Sequence, residues 1–149
     1  MSKVPVPRPL ILLEERKVRL LGRSYILMES LHPSERLIED FDMASDQKRF
    51  ELLEQAAEVF ANMHACGYVH GDLKWSNILV GDAEQAKLYL VDLDGVRRMK
   101  KFAKNAALKD VQRFIRDLAI REERGEYVPF FCELWEQSLA QALQQRRSR

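Results

Sequence analysis

Cysteine and long apolar runs are both scarce in this chain, and each scarcity closes off a class of protein. Only Cys66 and Cys132 occur in 149 residues. They stand far apart and outside any metal-ligand spacing, so they read as reduced core thiols of a cytoplasmic protein, not as a disulfide or a zinc site. The purely apolar runs extend over a few residues, too few to span a bilayer. The opening Met1-Ser2-Lys3 leads into the proline-rich Val4-Pro5-Val6-Pro7-Arg8-Pro9, so no cleavable signal is expected. An excess of one charge is lacking as well. The formal net charge of +1 makes no general case for nucleic acid. The six glycines include no Gly-x-Gly cluster, so a glycine-rich loop over phosphates has no counterpart.

What is present is enough for one globular unit. Apolar residues make up 46% and charged residues 32%, and a chain of this length buries a real core. There is no internal repeat and no low-complexity linker. Three prolines make residues 1–9 an extended arm. Leu10-Ile11-Leu12-Leu13 and Tyr25-Ile26-Leu27-Met28 flank a charged stretch with Gly22 and predict two antiparallel strands. Pro33 to Asp42 suits a short helix. From Asp46 to Cys66, Phe50, Leu53, Ala57, Phe60 and Met63 recur at helical spacing, and Gly67 stands where that helix should end. Tyr68-Val69, Ile78-Leu79-Val80 and Lys87 to Val91 predict short strands, with a turn at Gly81-Asp82. Helices are expected at roughly 105–123 and 129–145, broken by Gly125. Few strands and much helix predict an α+β fold.

The chemistry is concentrated in His70-Gly71-Asp72-Leu73-Lys74-Trp75-Ser76-Asn77 and in Asp92-Leu93-Asp94-Gly95. Asp72 and Asn77 lie five residues apart in a polar loop, and Asp92 follows fifteen residues later at a strand exit. Phosphoryl transfer from ATP asks little covalent chemistry of a protein. It asks for a carboxylate to orient the acceptor hydroxyl and for oxygen ligands to hold magnesium against the phosphates. Asn77 and Asp92 are of the right types for Mg2+. Asp72 is then free to accept a proton, and Lys74 can place positive charge near the moving phosphoryl.

The run His70 to Val80 resembles the catalytic loop of the protein-kinase-like superfamily, whose usual form is His-Arg-Asp-Leu-x-x-x-x-Asn. Met63 to His70 is similar to the helix end that leads into that loop, and Val91-Asp92-Leu93-Asp94-Gly95 stands in place of Asp-Phe-Gly. The Gly71 variant and the Asp-Leu-Asp followed by arginines resemble the lipopolysaccharide core kinase (Kdo/heptose kinase) family, over roughly residues 10–125. That resemblance implies a protein-kinase-like fold, ATP and Mg2+ as cofactors, and a Kdo or heptose sugar of the inner core as acceptor. It implies Asp72 as base, Asn77 and Asp92 as metal ligands, Lys74 on the γ-phosphate and His70 as an internal brace. Tyr25 to Leu31 is similar to the strand and hinge of the adenine pocket, which would put the Glu29 carbonyl and the Leu31 amide on the adenine edge. It also implies a location in the cytoplasm, peripheral to the inner membrane.

Several residues carry two readings. Asp94 is a second metal-proximal carboxylate or a loop cap. Trp75 is a platform for a sugar ring or a packing residue. His32 and His64 read as structural or surface histidines. The basic run Arg97, Arg98, Lys100, Lys101 and Lys104 is a solvated face or a landing site for acidic glycolipid or an anionic membrane surface. The tail from Gln144 to Arg149 reads as a frayed, solvated helix end.

The same resemblance implies a smaller lobe, with a glycine-rich loop and a strand lysine paired to a helix glutamate, that has no match here. Lys3 and Lys17 lack the setting. Residues 1–31 are therefore expected to be a remnant of the strand lobe and hinge, and residues 32–149 the helical lobe as one compact unit. Three alternatives follow: a sugar kinase whose missing lobe comes from a partner chain, a non-catalytic binding module on a kinase-like scaffold, or another small-molecule kinase of the aminoglycoside or choline type.

Overall fold

The apolar stripe expected on residues 46–66 becomes the spine of the core. The computed structural model describes residues 4–17, 20–81, 87–122 and 125–148. Residues 1–3 of the expected arm, Asp82 of the expected turn, Glu123 and Arg149 lie outside these. In chain order the elements are strands β1 (Pro9–Lys17), β2 (Leu20–Met28) and β3 (Ser34–Arg36), helices α1 (Leu37–Met43) and α2 (Asp46–Ala65), and strands β4 (Tyr68–Val69), β5 (Ile78–Gly81), β6 (Lys87–Leu90) and β7 (Arg97–Arg98). Helices α3 (Lys104–Arg121) and α4 (Tyr127–Arg147) follow. Among the described residues, four helices and three small sheets make this an α+β fold.

Helix α2 starts at Ser45, whose side chain accepts from the Lys48 amide at 3.4 Å, a cap of the kind worth about 1 kcal/mol. It ends before Gly67, which takes φ +80, a conformation glycine enters without steric cost. Helix α4 packs along one side of α2, and strands β4 and β6 along another. The buried face is therefore wider than the predicted stripe and includes Leu52, Ala56 and Ala61. Phe60 meets Phe114 of α3 and Phe131 of α4 edge-on, at centroid distances of 5.0 and 5.9 Å. Such pairs add roughly 0.5–1.5 kcal/mol each beyond their burial.

One element departs from expectation. The segment predicted as a single helix, 33–42, begins as strand β3, and helix starts only at Leu37. Ser34, Glu35 and Arg36 pair antiparallel with Gly81, Val80 and Leu79 of β5, so a neighbouring strand edge outweighs the local helix preference. The proline-rich arm lies beside the same sheet, where the Leu90 amide donates to the Pro5 carbonyl at 3.0 Å. Val4 and Val6 pack against the core.

The two predicted N-terminal strands form a hairpin longer than their apolar runs, continuing through Glu14 to Lys17 and from Leu20. Ile11 pairs with Leu27 and Leu13 with Tyr25, while Leu12 pairs with Ile26. Facing residues share a side of a sheet and successive ones alternate, so both sides of this hairpin are apolar. That pattern is typical of strands covered on both faces. Leu12, Leu13, Ile26 and Leu27 are nevertheless 55 to 62% exposed.

Candidate active site

A short strand pair holds the base of the site. Tyr68 and Val69 of β4 pair with Arg98 and Arg97 of β7, which ties the segment before His70 to the segment after Asp92. The loops beyond approach each other backbone to backbone at two glycines. Gly71 has φ +86, and a Cβ there would stand 2.8 Å from the Gly95 carbonyl oxygen; one on Gly95 would stand 3.0 Å from the His70 carbonyl oxygen. The glycine that distinguishes this loop from His-Arg-Asp is thus required by both conformation and space.

Within the loop, the Lys74 ammonium lies 2.8 Å from Asp72 Oδ2, with both side chains about half exposed. Asn77 donates from Nδ2 to the Asp72 carbonyl at 2.9 Å and to Asp72 Oδ2 at 3.2 Å. The hydrogen bond from Lys74 is the main reason the Asp72 carboxyl sits below its ordinary value, with a smaller contribution from Asn77. The same bond raises Lys74, and the nearby charges of Asp92 and Asp117 raise it further. Asp72 is therefore a carboxylate at neutral pH, oriented by two partners.

Asp92, two residues beyond the end of β6, sits in the left-handed region, φ 57 and ψ 61, and opens a single 3-10 turn, Leu93–Gly95. Its carboxylate is exposed and accepts no hydrogen bond from the described residues. Asn77 spends its N–H donors on Asp72, and its amide oxygen accepts from the Ser76 hydroxyl at 3.5 Å. These are hard oxygen donors of the kind Mg2+ takes when nucleotide phosphates and water fill its other positions. Among the described residues no group of three or more His, Cys, Asp or Glu side chains converges. Asp94 is exposed in the same turn.

Beneath the loop lies a support that motif reading missed. Asp110 and Asp117 stand two turns apart on one face of α3. Asp110 is 1% exposed and accepts from the His70 amide at 2.6 Å and the Gly71 amide at 2.9 Å. Asp117 accepts from the Trp75 amide at 2.9 Å. His64 joins from α2: its Nε2 donates to Asp110 Oδ2 at 3.4 Å while its Nδ1 accepts from the Trp135 indole at 3.2 Å. His64 is thus a buried structural group, whereas His32 is exposed. His70 donates from Nε2 to the Val91 carbonyl at 3.0 Å, bracing the loop from within as expected. The one signal in the sequence was a carboxylate set inside the buried stripe Ala107, Val111, Phe114 and Leu118.

Trp75 is settled by burial. It is 0% exposed, stacks on Phe114 at 5.2 Å and donates its indole N–H to the Phe114 carbonyl at 3.1 Å. It is a packing residue, and the sugar-platform alternative is corrected. Glu29 turns its side chain back to the arm, accepting from the Arg8 amide at 2.8 Å, and Leu31 is half-buried nearby in the chain.

The chain matches known proteins in two ways. A family model described as lipopolysaccharide kinase (Kdo/WaaP) family matches residues 1–128. Among solved structures, WaaP in complex with acyl carrier protein is similar, with a TM-score of 0.75 at 17% identity, covering 97% of this chain and 69% of that one. At that identity the likeness is one of fold, and it is a kinase fold. No curated protein sequence matches.

Proposed function

We propose that this chain, which belongs to the lipopolysaccharide kinase (Kdo/WaaP) family and is a phosphotransferase, moves the terminal phosphoryl group of ATP to a sugar hydroxyl of the lipopolysaccharide inner core. The observation that carries this reading is the Asp72 carboxylate, held at once by Lys74 at 2.8 Å and by Asn77 at 3.2 Å. Asp72 orients the acceptor hydroxyl and takes its proton as the oxygen attacks. Lys74 stands beside it to meet negative charge on the transferred phosphoryl. Asn77 and Asp92 would hold Mg2+, which supplies charge neutralisation along the phosphates when bound. Asp110, Asp117 and His70 keep the loop's backbone in place and touch no substrate.

The acceptor in this reading is Kdo or heptose, and the adenine edge meets the backbone of Glu29 and Leu31 at the end of β2. Residues 1–31 then serve as strands and hinge, and residues 32–149 as the catalytic lobe. A polypeptide bearing further strands, with the glycine-rich loop and lysine, would meet the chain at the β1–β2 hairpin, whose apolar sides match the interior of a larger sheet. Among the described residues no helix is long and apolar enough to cross a membrane; we place the chain at the cytoplasmic side of the inner membrane, where the acceptor is made.

The test is transfer of labelled γ-phosphate from ATP to dephosphorylated inner-core lipopolysaccharide, with and without Mg2+. Magnesium-dependent transfer that disappears in Asp72→Asn supports the reading. Transfer that survives Asp72→Asn unchanged overturns the role of Asp72, and absence of ATP binding under all conditions assigns the chain to the scaffold alternative.

A further inference from the structure

The far end of the β4–β7 pair carries a cleft that the catalytic reading leaves unused. It has a volume near 670 Å³ and is built from three separate stretches of chain: the end of α2, the segment after β7 and the last turns of α4. Arg98, Lys100, Lys101, Arg146 and Arg147 line it. Among the described residues none of the five forms an ion pair with a carboxylate. Ala65, Met99, Phe102 and Leu143 add apolar lining, and Met99 is 38% exposed. The basic run and the basic tail, more than forty residues apart in sequence, thus converge on one concave site. The tail read from sequence as a frayed end is helical through Arg147.

We infer that this cleft binds the phosphate headgroup of an anionic membrane lipid, with the five cations on the phosphate and the apolar lining against the adjoining acyl region. Unpaired cations alone would describe a flat landing face for any anion. Concavity and apolar lining beside the cations favour an amphiphile, whose charge and hydrocarbon lie side by side. The Met99 amide donates to the Gly67 carbonyl at 2.7 Å, which fixes the lining to the strand pair below the catalytic loop. Gly67 and Asp72 are five residues apart, so at most about 18 Å of extended chain separates the cleft from the proposed base. A chain docked there holds its active site at the membrane surface. That last consequence alone rests on the kinase reading.

The test measures co-sedimentation with vesicles of phosphatidylcholine carrying about 30 mol% phosphatidylglycerol, against phosphatidylcholine alone, using the whole chain. Binding to the anionic vesicles only is expected. The exposed pair Arg98→Gln and Arg146→Gln should weaken it about 30-fold, from about fivefold per basic residue at an anionic surface. Met99→Ser should weaken it about threefold or more by loss of apolar contact. Competition by millimolar inorganic phosphate would make the cleft a soluble-phosphate site and overturn the inference. So would equal binding of poly-glutamate that is indifferent to Met99→Ser, the behaviour of a docking face for an acidic protein. Asp92→Ala should leave vesicle binding intact, so failure of catalysis and failure of lipid binding are read separately.

Discussion

The Asp110 carboxylate accepts a 2.6 Å hydrogen bond from the backbone N–H of His70, forty residues earlier in the chain. A second oxygen takes the Gly71 amide, so one buried side chain on α3 fixes two consecutive peptide groups just ahead of Asp72. The loop that carries Asp72 therefore depends on a helix that carries none of the motif.

Removing that carboxylate should be costly. Asp110→Ala strands two backbone donors in a site with 1% exposure and should lower stability by about 3 kcal/mol. Urea denaturation of the variant and the parent measures the difference. Burial pushes the Asp110 carboxyl up, but hydrogen bonds from His64 and from the His70 and Gly71 amides outweigh it and hold the group below its ordinary value. The folded value thus lies under the unfolded one. Its contribution is complete above about pH 4 and drains away as pH falls through the folded value. Thermal melts on the acid side should show Asp110→Asn with a shallower acid dependence than the parent.

Asp72→Asn keeps the size of the side chain but removes the proposed proton acceptor. A fall in kcat of roughly 10²- to 10⁴-fold is expected, with the KM for ATP little changed. Steady-state transfer to inner-core lipopolysaccharide reads both. An equal rise in KM with kcat preserved would assign Asp72 to binding.

Asp92→Ala and Asn77→Ala should each cut the magnesium dependence of ATP binding. Calorimetry with and without Mg2+ measures it: the parent's enhancement by the metal should shrink in both variants. Asn77→Ala should also loosen Asp72, since it deletes the donor 3.2 Å from Oδ2. It should therefore lose more kcat than metal binding alone explains.

Two glycines with positive φ separate space from conformation. A Cβ at Gly71 would lie 2.8 Å from backbone oxygen, whereas one at Gly125 meets nothing within 4 Å. Gly125→Ala should cost about 1 kcal/mol, the penalty of the left-handed conformation alone. Gly71→Ala should cost more and should also lower activity, because the two loops must part. Denaturation midpoints and transfer rates on the pair test this.

The hairpin should govern solution behaviour. Leu12 is 62% and Ile26 57% exposed, on the same side of the sheet, and uncovered apolar strands with open edges invite association. Leu12→Lys with Ile26→Lys should reduce self-association. Light scattering across a concentration series gives the answer.

What sequence determined about this protein was what neighbours along the chain determine. Asp72, Lys74 and Asn77 lie in one loop, and their order carried the kinase resemblance that the family match bears out. Helical spacing placed α2 to within a residue at its end, because one apolar face repeats every turn, and Gly67 marked the stop through its own backbone freedom. Tertiary structure decided whatever depended on a partner far away in sequence. Strand β3 is three residues long and carries no periodicity; it exists because β5 offers an edge to Ser34, Glu35 and Arg36. Trp75 became core because Phe114 lies beneath it. Asp110 and Asp117 became supports because burial forbids leaving the loop's amides unpaired, and only the packed chain determines which carboxylate reaches which amide. The cleft between Arg98 and Arg146 arose in the same way, from helix packing that brings together two charge runs each of which, alone, reads as a solvated face.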